Sequence, residues 1–250
     1  MLELKSLNEI EIMHESGRRL SSVMKKISRM IEAGLSTIEI DRFCESEITK
    51  QKGIPSFKNY RGFPASACVS INQVVVHGIP SKAKLCDGDI VGIDIGMCYN
   101  GYHSDMARTF AIGSAREQDL DLIRAARESF YDCLKFAKIG NRIGDISNCI
   151  QENAESKGYS VVRELSGHGI GKKLHEAPNV PNFGRSGHGI RIENGLCIAI
   201  EPMINAGKKE VVLLDDGWTV ETKDGSNSAH YENTIAILED GPIVLTDGEV

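Results

Sequence analysis

Apolar residues near the start of the chain recur at helical spacing. Ile12, Met13, Leu20, Val23, Met24, Ile27, Met30 and Ile31 fall near one face of a helix that the pattern predicts from about Asn8 to Glu32, ended by Gly34. Ser36-Thr-Ile-Glu39 has the form of a capping box and opens a second helix that closes at Gly53. The pattern then turns from helical to strand-like. Cys68-Val-Ser-Ile71 and Val74-Val-Val-His77 predict strands joined by a turn at Asn72, and Ile90–Ile95 and Thr109–Ile112 predict two more.

The second half repeats this order. Ser114-x-x-Glu117 is another capping box, opening a helix to about Lys138 with Leu122, Ile123, Ala126, Phe130, Leu134 and Ala137 on one side. A shorter helix follows from about Ile143 to Gly158. Strands return at Tyr159–Val162, Leu196–Glu201, Thr234–Leu238 and Ile243–Leu245. Ile38, Cys44, Lys52 and Gly53 correspond to Ile143, Cys149, Lys157 and Gly158 at one constant shift. Gly88-x-x-x-x-Ile93-Asp94 corresponds to Gly195-x-x-x-x-Ile200-Glu201, and His103-x-Asp105 to His230-x-Glu232. Each half thus supplies two strands that carry a carboxylate. A pseudo-twofold axis between the halves would bring the two pairs together. The expectation is one domain over residues 1–250, with halves of about 1–112 and 113–250. Its fold is α+β, with helices packed on a mixed, mostly antiparallel sheet. No phosphate loop and no Gly-x-Gly-x-x-Gly follows a strand, so a nucleotide-binding α/β fold lacks its main signal.

Composition changes this picture little. The chain has 250 residues, 41% hydrophobic and 26% charged, which is ordinary for a globular protein with a sizeable core. The net charge of −6 argues against a nucleic-acid partner, since phosphate binding wants a basic footprint. The first residues show no signal peptide, and no apolar run approaches the ~20 residues of a membrane helix. A soluble, cytoplasmic protein is expected. The seven Cys are widely spaced, with no Cys-x-x-Cys, which points to reduced thiols rather than disulfides or a zinc finger.

The candidate chemistry lies in Asp94, Asp105, His168, Glu201 and Glu232. Four carboxylates and one imidazole exceed the needs of a single catalytic zinc. They suit two divalent ions that share carboxylates and ionise a water at neutral pH. Asn100-Gly101 is a strong hairpin signal and would set Asp94 and Asp105 on neighbouring strands. Asp94 and Glu201 each follow an apolar run, and a buried carboxylate must be paired or metal-bound. No Arg or Lys falls inside the predicted carboxylate-bearing strands, which weakens pairing as the explanation. His168 sits in Gly167-His-Gly-Ile-Gly171, where glycines allow close backbone approach and unusual φ. His77 ends an apolar strand and His175 follows His168. Neutral imidazoles there can ligate, donate to an oxyanion or shuttle protons. His14, His103, His188 and His230 have weaker contexts and read as surface or packing residues. There is no Gly-x-Ser-x-Gly and no His-Glu-x-x-His. With mostly oxygen donors, Mn, Fe, Co or Zn are the candidate metals.

Taken together, these motifs resemble the methionine aminopeptidases, in their short bacterial type I form, within peptidase family M24. The resemblance runs over nearly the whole chain. It is carried by Ile54-Pro-Ser-Phe57, Cys68-Val-Ser-Ile-Asn72, Val76-His-Gly-Ile-Pro80, Gly101-Tyr-His-Ser-Asp105, Gly167-His-Gly-Ile-Gly171, Ile200-Glu-Pro-Met203, Asp216-Gly-Trp218 and Tyr231-Glu-Asn-Thr234. It implies the pseudo-symmetric "pita-bread" fold. It also implies removal of an N-terminal methionine that precedes a small residue, by attack of a metal-activated water on the scissile carbonyl. Asp105, His168, Glu201 and Glu232 would ligate one metal. Asp94, with bridging Asp105 and Glu232, would hold the other. Glu201 would handle the proton of the water, and His77 and His175 would stabilise the scissile amide and tetrahedral intermediate. Tyr60, Phe63, Cys68 and Trp218 would take the methionine side chain. A monovalent cation near Asn72, Val74 and Ser228 is implied as well. The implied partners are nascent polypeptide N-termini, with the ribosome as a further contact, and the implied state is a monomer. Three positions depart from the family pattern: Phe57, Leu174 and Asn233. They bear on pocket shape and on hydrogen bonds around the ligands. The rivals are a proline-specific peptidase of the same fold, which usually carries a large N-terminal domain, and a metal-free binding relative, which tends to lose ligands.

Overall fold

The computed structural model describes residues 2–248. Helix α1 (Leu7–Ile27) begins at a capping box in which the Ser6 and Glu9 side chains each take the other's main-chain N–H. It stops short of Glu32 because the chain tightens after Ile27, where the Met30 N–H turns back to the Ile27 carbonyl. Helix α2 (Thr37–Lys50) starts as expected, with Glu39 accepting from the Ser36 N–H at 2.9 Å. Helix α3 (Glu117–Cys133) differs from expectation. Arg116, not Ser114, is its N-cap. The Ser114 N–H is instead tied to Asp87 Oδ1 at 2.8 Å, which holds that residue in the preceding turn. A 3₁₀ turn, Leu134–Phe136, follows α3, and α4 (Ile143–Ser156) completes the second helix pair.

The first-half strands are β1 (Ile54–Pro55), β2 (Ala67–Ile71), β3 (Val74–Val76), β4 (Ile90–Tyr99) and β5 (Tyr102–Ala111). The second half supplies β6 (Ser160–Val161), β7 (Ser166–Gly169), β8 (Glu176–Pro181), β9 (Leu196–Ile200), β10 (Met203–Asn205), β11 (Val211–Leu213), β12 (Val220–Thr222), β13 (Ser228–His230), β14 (Glu232–Leu238) and β15 (Gly241–Val244). The main sheet runs β1-β4-β5-β14-β9-β7-β8, with β2 added to β4 and β15 to β14. Two small sheets, β13-β10-β6 and β11-β12-β3, flank it. Every strand pairing among the described residues is antiparallel.

Strand alternation divides the main sheet into two faces. Ile93, Ile95 and Met106 point to the side covered by α1 and α2, where Leu20, Met24, Ile40 and Ile48 complete one core. Ile198, Ile200, Ile235 and Ile237 pack in the same manner with Leu122, Phe130, Ile146 and Ile150 of α3 and α4. Each such side chain, fully buried, contributes ~1.5–3 kcal/mol. The helix pairs thus cover the two halves of one face. The residues between those isoleucines point to the other face, and all four carboxylates lie there.

Candidate active site

Register decides which side chains meet. Asn100 and Gly101 both take positive φ, 49° and 81°, as a two-residue hairpin turn demands. This turn sets Asp94 opposite Ala107 and Gly96 opposite Asp105, so the two aspartates lie diagonally on one face. Across the central seam Glu232 also faces Ala107. The β14–β9 ladder pairs Asn233 with Ile200, which brings Glu201 beside Glu232. His168 pairs with Ala199, two residues before Glu201, and so shares its face. Four residues from four strands, and Glu201 just after a fifth, thereby converge at the centre of the sheet. At the seam the ladder gives way to a side chain: Thr234 Oγ1 accepts from the Asp105 N–H at 2.9 Å and donates to the Asp105 carbonyl at 3.0 Å.

The glycines around His168 serve close approach. Added Cβ atoms on Gly167 and Gly169 would meet the carbonyl oxygens of Ala199 and Ala177 at 2.4 and 2.2 Å. Neither residue has the positive φ that was the other expected reason. His168 Nδ1 lies 2.9 Å from the Gly169 carbonyl, which accepts its proton and leaves Nε2 facing the site. That nitrogen is 3.9 Å from Asp105 Oδ2 and 3.9 Å from Glu201 Oε1.

The electrostatics are those of a buried anionic cluster. Burial, with Asp94 and Glu201 nearby, holds Asp105 well above the carboxylate range. Burial and then Asp94 do the same to Glu201, and burial with Asp105 and Glu201 to Glu232. Burial pushes Asp94 up to about 7. The imidazoles go the other way: burial takes His168 down to about 4 and His175 to about 3, and lowers His77. Neutral imidazoles keep a lone pair for a metal or an N–H for an oxyanion. The Cys68 thiol, opposite Asp94 in the ladder, is pushed up by burial and by the carboxylates around it, so it stays protonated.

Donor chemistry and unmet hydrogen bonding both fit divalent cations here. Asp94 Oδ1, Asp105 Oδ1 and His230 Nε2 are buried with no hydrogen-bond partner. Two groups could each hold an ion: Asp105, His168 and Glu232, and Asp94, His230 and Glu232. Positive charge is what such a cluster lacks. Arg108 lowers the pKa of Glu232 but is outweighed there by burial and the neighbouring carboxylates. The observed β5 is longer than the predicted strand and includes Arg108, contrary to the expectation of no cation within these strands. Alternation sends its side chain to the face opposite Asp105. There it donates to the Glu232 carbonyl at 2.6 Å and to Asn233 Oδ1 at 2.8 Å, and covers the Tyr231 ring.

A cavity of about 170 Å³ opens onto the carboxylates. Tyr60, Phe63, Cys68, His77, His175 and Trp218 all line it, together with Phe57 and Leu174. Phe63 and Trp218 meet edge to face at 5.1 Å, and Tyr60 and His175 do likewise at 5.1 Å. Asn59, Arg61 and His77 adopt positive φ of 65°, 50° and 59°, so non-glycine backbone strain gathers at this wall. A larger open groove of about 660 Å³ lies between α4 and β8 but contains none of the carboxylates that Asp94, Asp105, Glu201 and Glu232 provide. Size does not pick the site; the donor set does. Asn72 and Ser228 are adjacent, the Ser228 N–H donating to the Asn72 carbonyl at 2.9 Å, and Val74 opens the neighbouring β3.

Sequence reasoning missed two residues. Arg61 lines the cavity from the strained loop. His230 was expected at the surface or in packing, yet it is 4% exposed, with Nε2 3.6 Å from Glu201 Oε2 and 3.7 Å from Glu232 Oε2. Its signal was present: two residues before a candidate ligand in a strand means the same face. Among the other weak histidines, His103 Nδ1 bonds Ser56 Oγ at 2.9 Å.

Known proteins resemble this chain over nearly its whole length. A methionine aminopeptidase of Clostridium perfringens is 51% identical over 98% of this chain and 99% of the relative. The crystal structure of a methionine aminopeptidase from Thermotoga maritima superposes with a TM-score of 0.97 at 40% identity, covering 100% of both chains. A prolidase from Pyrococcus furiosus shares the fold alone, with a TM-score of 0.81 at 23% identity over 99% of this chain and 66% of its own. The family model for metallopeptidase family M24 matches residues 11–239, and the chain belongs to that family.

Proposed function

We propose that the chain acts as one catalytic domain that removes methionine from the N-termini of nascent polypeptides and peptides when the second residue is small. The observation that carries this reading is the convergence of Asp94, Asp105, His168, Glu201 and Glu232 in the lining of a cavity whose other walls are largely apolar and aromatic. Two divalent ions, drawn from Mn, Fe, Co or Zn, would supply a water ionised near neutral pH when bound to those five residues.

The chain's own groups do the rest. Glu201, just after β9, takes the proton of the attacking water and returns it to the leaving amine. His175 and His77 donate N–H groups to the scissile amide and to the oxyanion of the tetrahedral intermediate. Their burial keeps them neutral, so each offers a hydrogen bond without adding charge to the site. Tyr60, Phe63, Cys68 and Trp218 enclose the unbranched thioether, and aromatic edges suit a polarisable sulfur. Charged first residues are rejected because these four walls present no counter-charge. His77 crowds the second residue, which favours Gly, Ala or Ser. Asn72, Val74 and Ser228 form the proposed monovalent cation site. A cytoplasmic monomer that meets its substrates at the ribosome completes the reading. No described helix is long and apolar enough to cross a membrane.

The test is a peptide panel assayed with defined metals added back to apo-protein. Met-Ala and Met-Gly peptides should be cleaved, norleucine analogues more weakly, since one group more or less in such a pocket changes binding by only ~1–3 kcal/mol. Robust cleavage of Ala-Pro or Leu-Pro peptides with little action on Met-Ala would replace this reading with a proline-directed enzyme.

A further inference from the structure

We infer that His230 is a metal ligand, binding through Nε2 at the position shared by Asp94 and Glu232. This rests on the metal-centre reading above and adds a second imidazole to the five residues named there. Alternation along the β13–β14 segment puts His230 and Glu232 on one face, with Tyr231 turned to the helix-covered face. The His230 backbone is pinned on both sides. Its N–H and its carbonyl both bond Thr109 Oγ1 at 2.9 Å, and it pairs with Met203 in β10. The residue is also 4% exposed, so the ring is packed where the backbone puts it.

Nε2 is buried and has no hydrogen-bond partner. A buried unpaired ring nitrogen costs free energy unless something binds it. Its polar neighbours are Glu201 Oε2 at 3.6 Å and Glu232 Oε2 at 3.7 Å. Both distances are too long for hydrogen bonds. They match the spacing of two donors around one ion, where metal–nitrogen and metal–oxygen bonds of about 2.0–2.2 Å keep ligand atoms roughly 3–4 Å apart. One donor atom each from Asp94, His230 and Glu232 lies within 4.8 Å of the others. With His230 included, each of the two ions has one imidazole: His168 for one and His230 for the other. That raises the affinity of the second position for borderline metals such as Co, Fe and Zn over hard Mn or Mg.

The experiment loads apo-protein stepwise with Co²⁺. It counts the hyperfine-shifted, exchangeable imidazole N–H resonances by proton NMR and measures both binding steps by equilibrium dialysis. Wild-type protein should show two such resonances at saturation. His230→Gln, close in shape, should keep one of them. It should lose about tenfold or more in affinity at one binding step while the other stays within about threefold, given that even residues behind the ligands are worth 10–100-fold. An unchanged set of resonances and unchanged affinities in His230→Gln would overturn the assignment. Should that variant fail to fold, a single imidazole resonance in the saturated wild-type protein overturns it equally. No binding of Co²⁺ by the wild type would instead bring down the metal-centre reading itself.

Discussion

At the scale of single residues, charge and geometry divide the work. In the proposed mechanism Glu201 would hold its place and also move a proton, and Glu201→Gln keeps the shape and removes the basicity. Steady-state kinetics should report a fall in kcat of ~10²–10⁴-fold. A variant within a few-fold of wild type would leave Glu201 without a proton-handling role. Glu232 belongs to both candidate ion groups, and in the proposed centre Asp105 would bridge them as well, so Asp105→Ala or Glu232→Ala should lower bound metal by more than one ion per chain. Elemental analysis after dialysis against metal-containing buffer reads this directly, and retention of one tightly bound ion would contradict the shared role. Most of these residues were legible in the chain itself. Carboxylates at the ends of apolar runs, and a glycine-flanked histidine, carry that signal. Arg61 was not, because its context is ordinary until partners from distant segments arrive; His230 was signalled only by sharing a strand face with Glu232.

At the scale of elements, the site depends on how the strands are held from behind. Lys5 and Glu176 form a buried ion pair that ties the N-terminal segment to the residue after His175. The Lys5 N–H also donates to the Gly195 carbonyl at 2.7 Å, just before β9. Lys5→Ala leaves Glu176 buried without its cation, which should cost about 3–5 kcal/mol. Denaturant unfolding of the two proteins under identical metal loading measures it, and a change below about 1 kcal/mol would mean that water reaches Glu176. Gly169→Ala should act closer to the chemistry. Its Cβ would meet the Ala177 carbonyl at 2.2 Å, forcing β7 and β8 apart beside His168. A loss of about 1–3 kcal/mol and a weaker metal site are expected. The helices, the Asn100-Gly101 hairpin and the strands with carboxylates followed from periodicity and turn chemistry. The misplaced start of α3 did not, because Asp87 captured Ser114 through a contact between separate parts of the chain.

At the scale of the whole molecule, the buried cluster makes the apo-protein sensitive to pH. Asp94, Asp105, Glu201 and Glu232 have pKa values raised by folding, so the folded state holds protons that the unfolded chain releases. Stability from this source is intact below the ordinary carboxylate values and declines as pH rises through the folded ones, about 7 for Asp94. His77, His168, His175 and His230 have lowered values and act with the opposite sign below 6.5, where the unfolded imidazoles charge. The two sets oppose each other in that lower window. Above it the histidines are neutral in both states, and the carboxylates act alone. The melting temperature in chelator should therefore fall between pH 6.5 and 8.5, and saturating Co²⁺ or Mn²⁺ should restore it. A chelated protein whose melting temperature rises over that range would show that the carboxylates do not repel one another as described.

The sequence by itself determined the local structure: helical and strand periods, most caps, the hairpin, the repeat between halves and the identity of the four carboxylates and His168. Those are properties of neighbours along the chain, where a period of two or of 3.6 fixes which side chains share a face. Tertiary structure alone decided which faces meet. The pairing of Glu232 with Ala107 and of Asn233 with Ile200 aligned carboxylates from both halves in one place. The pairing of His230 with Met203, and its anchoring by Thr109, turned an unremarkable histidine into part of that site. The length of β5 and the parity of its residues sent Arg108 away from it. Register is a property of two strands rather than one, and a shift of a single residue would have moved every one of these side chains to the opposite face.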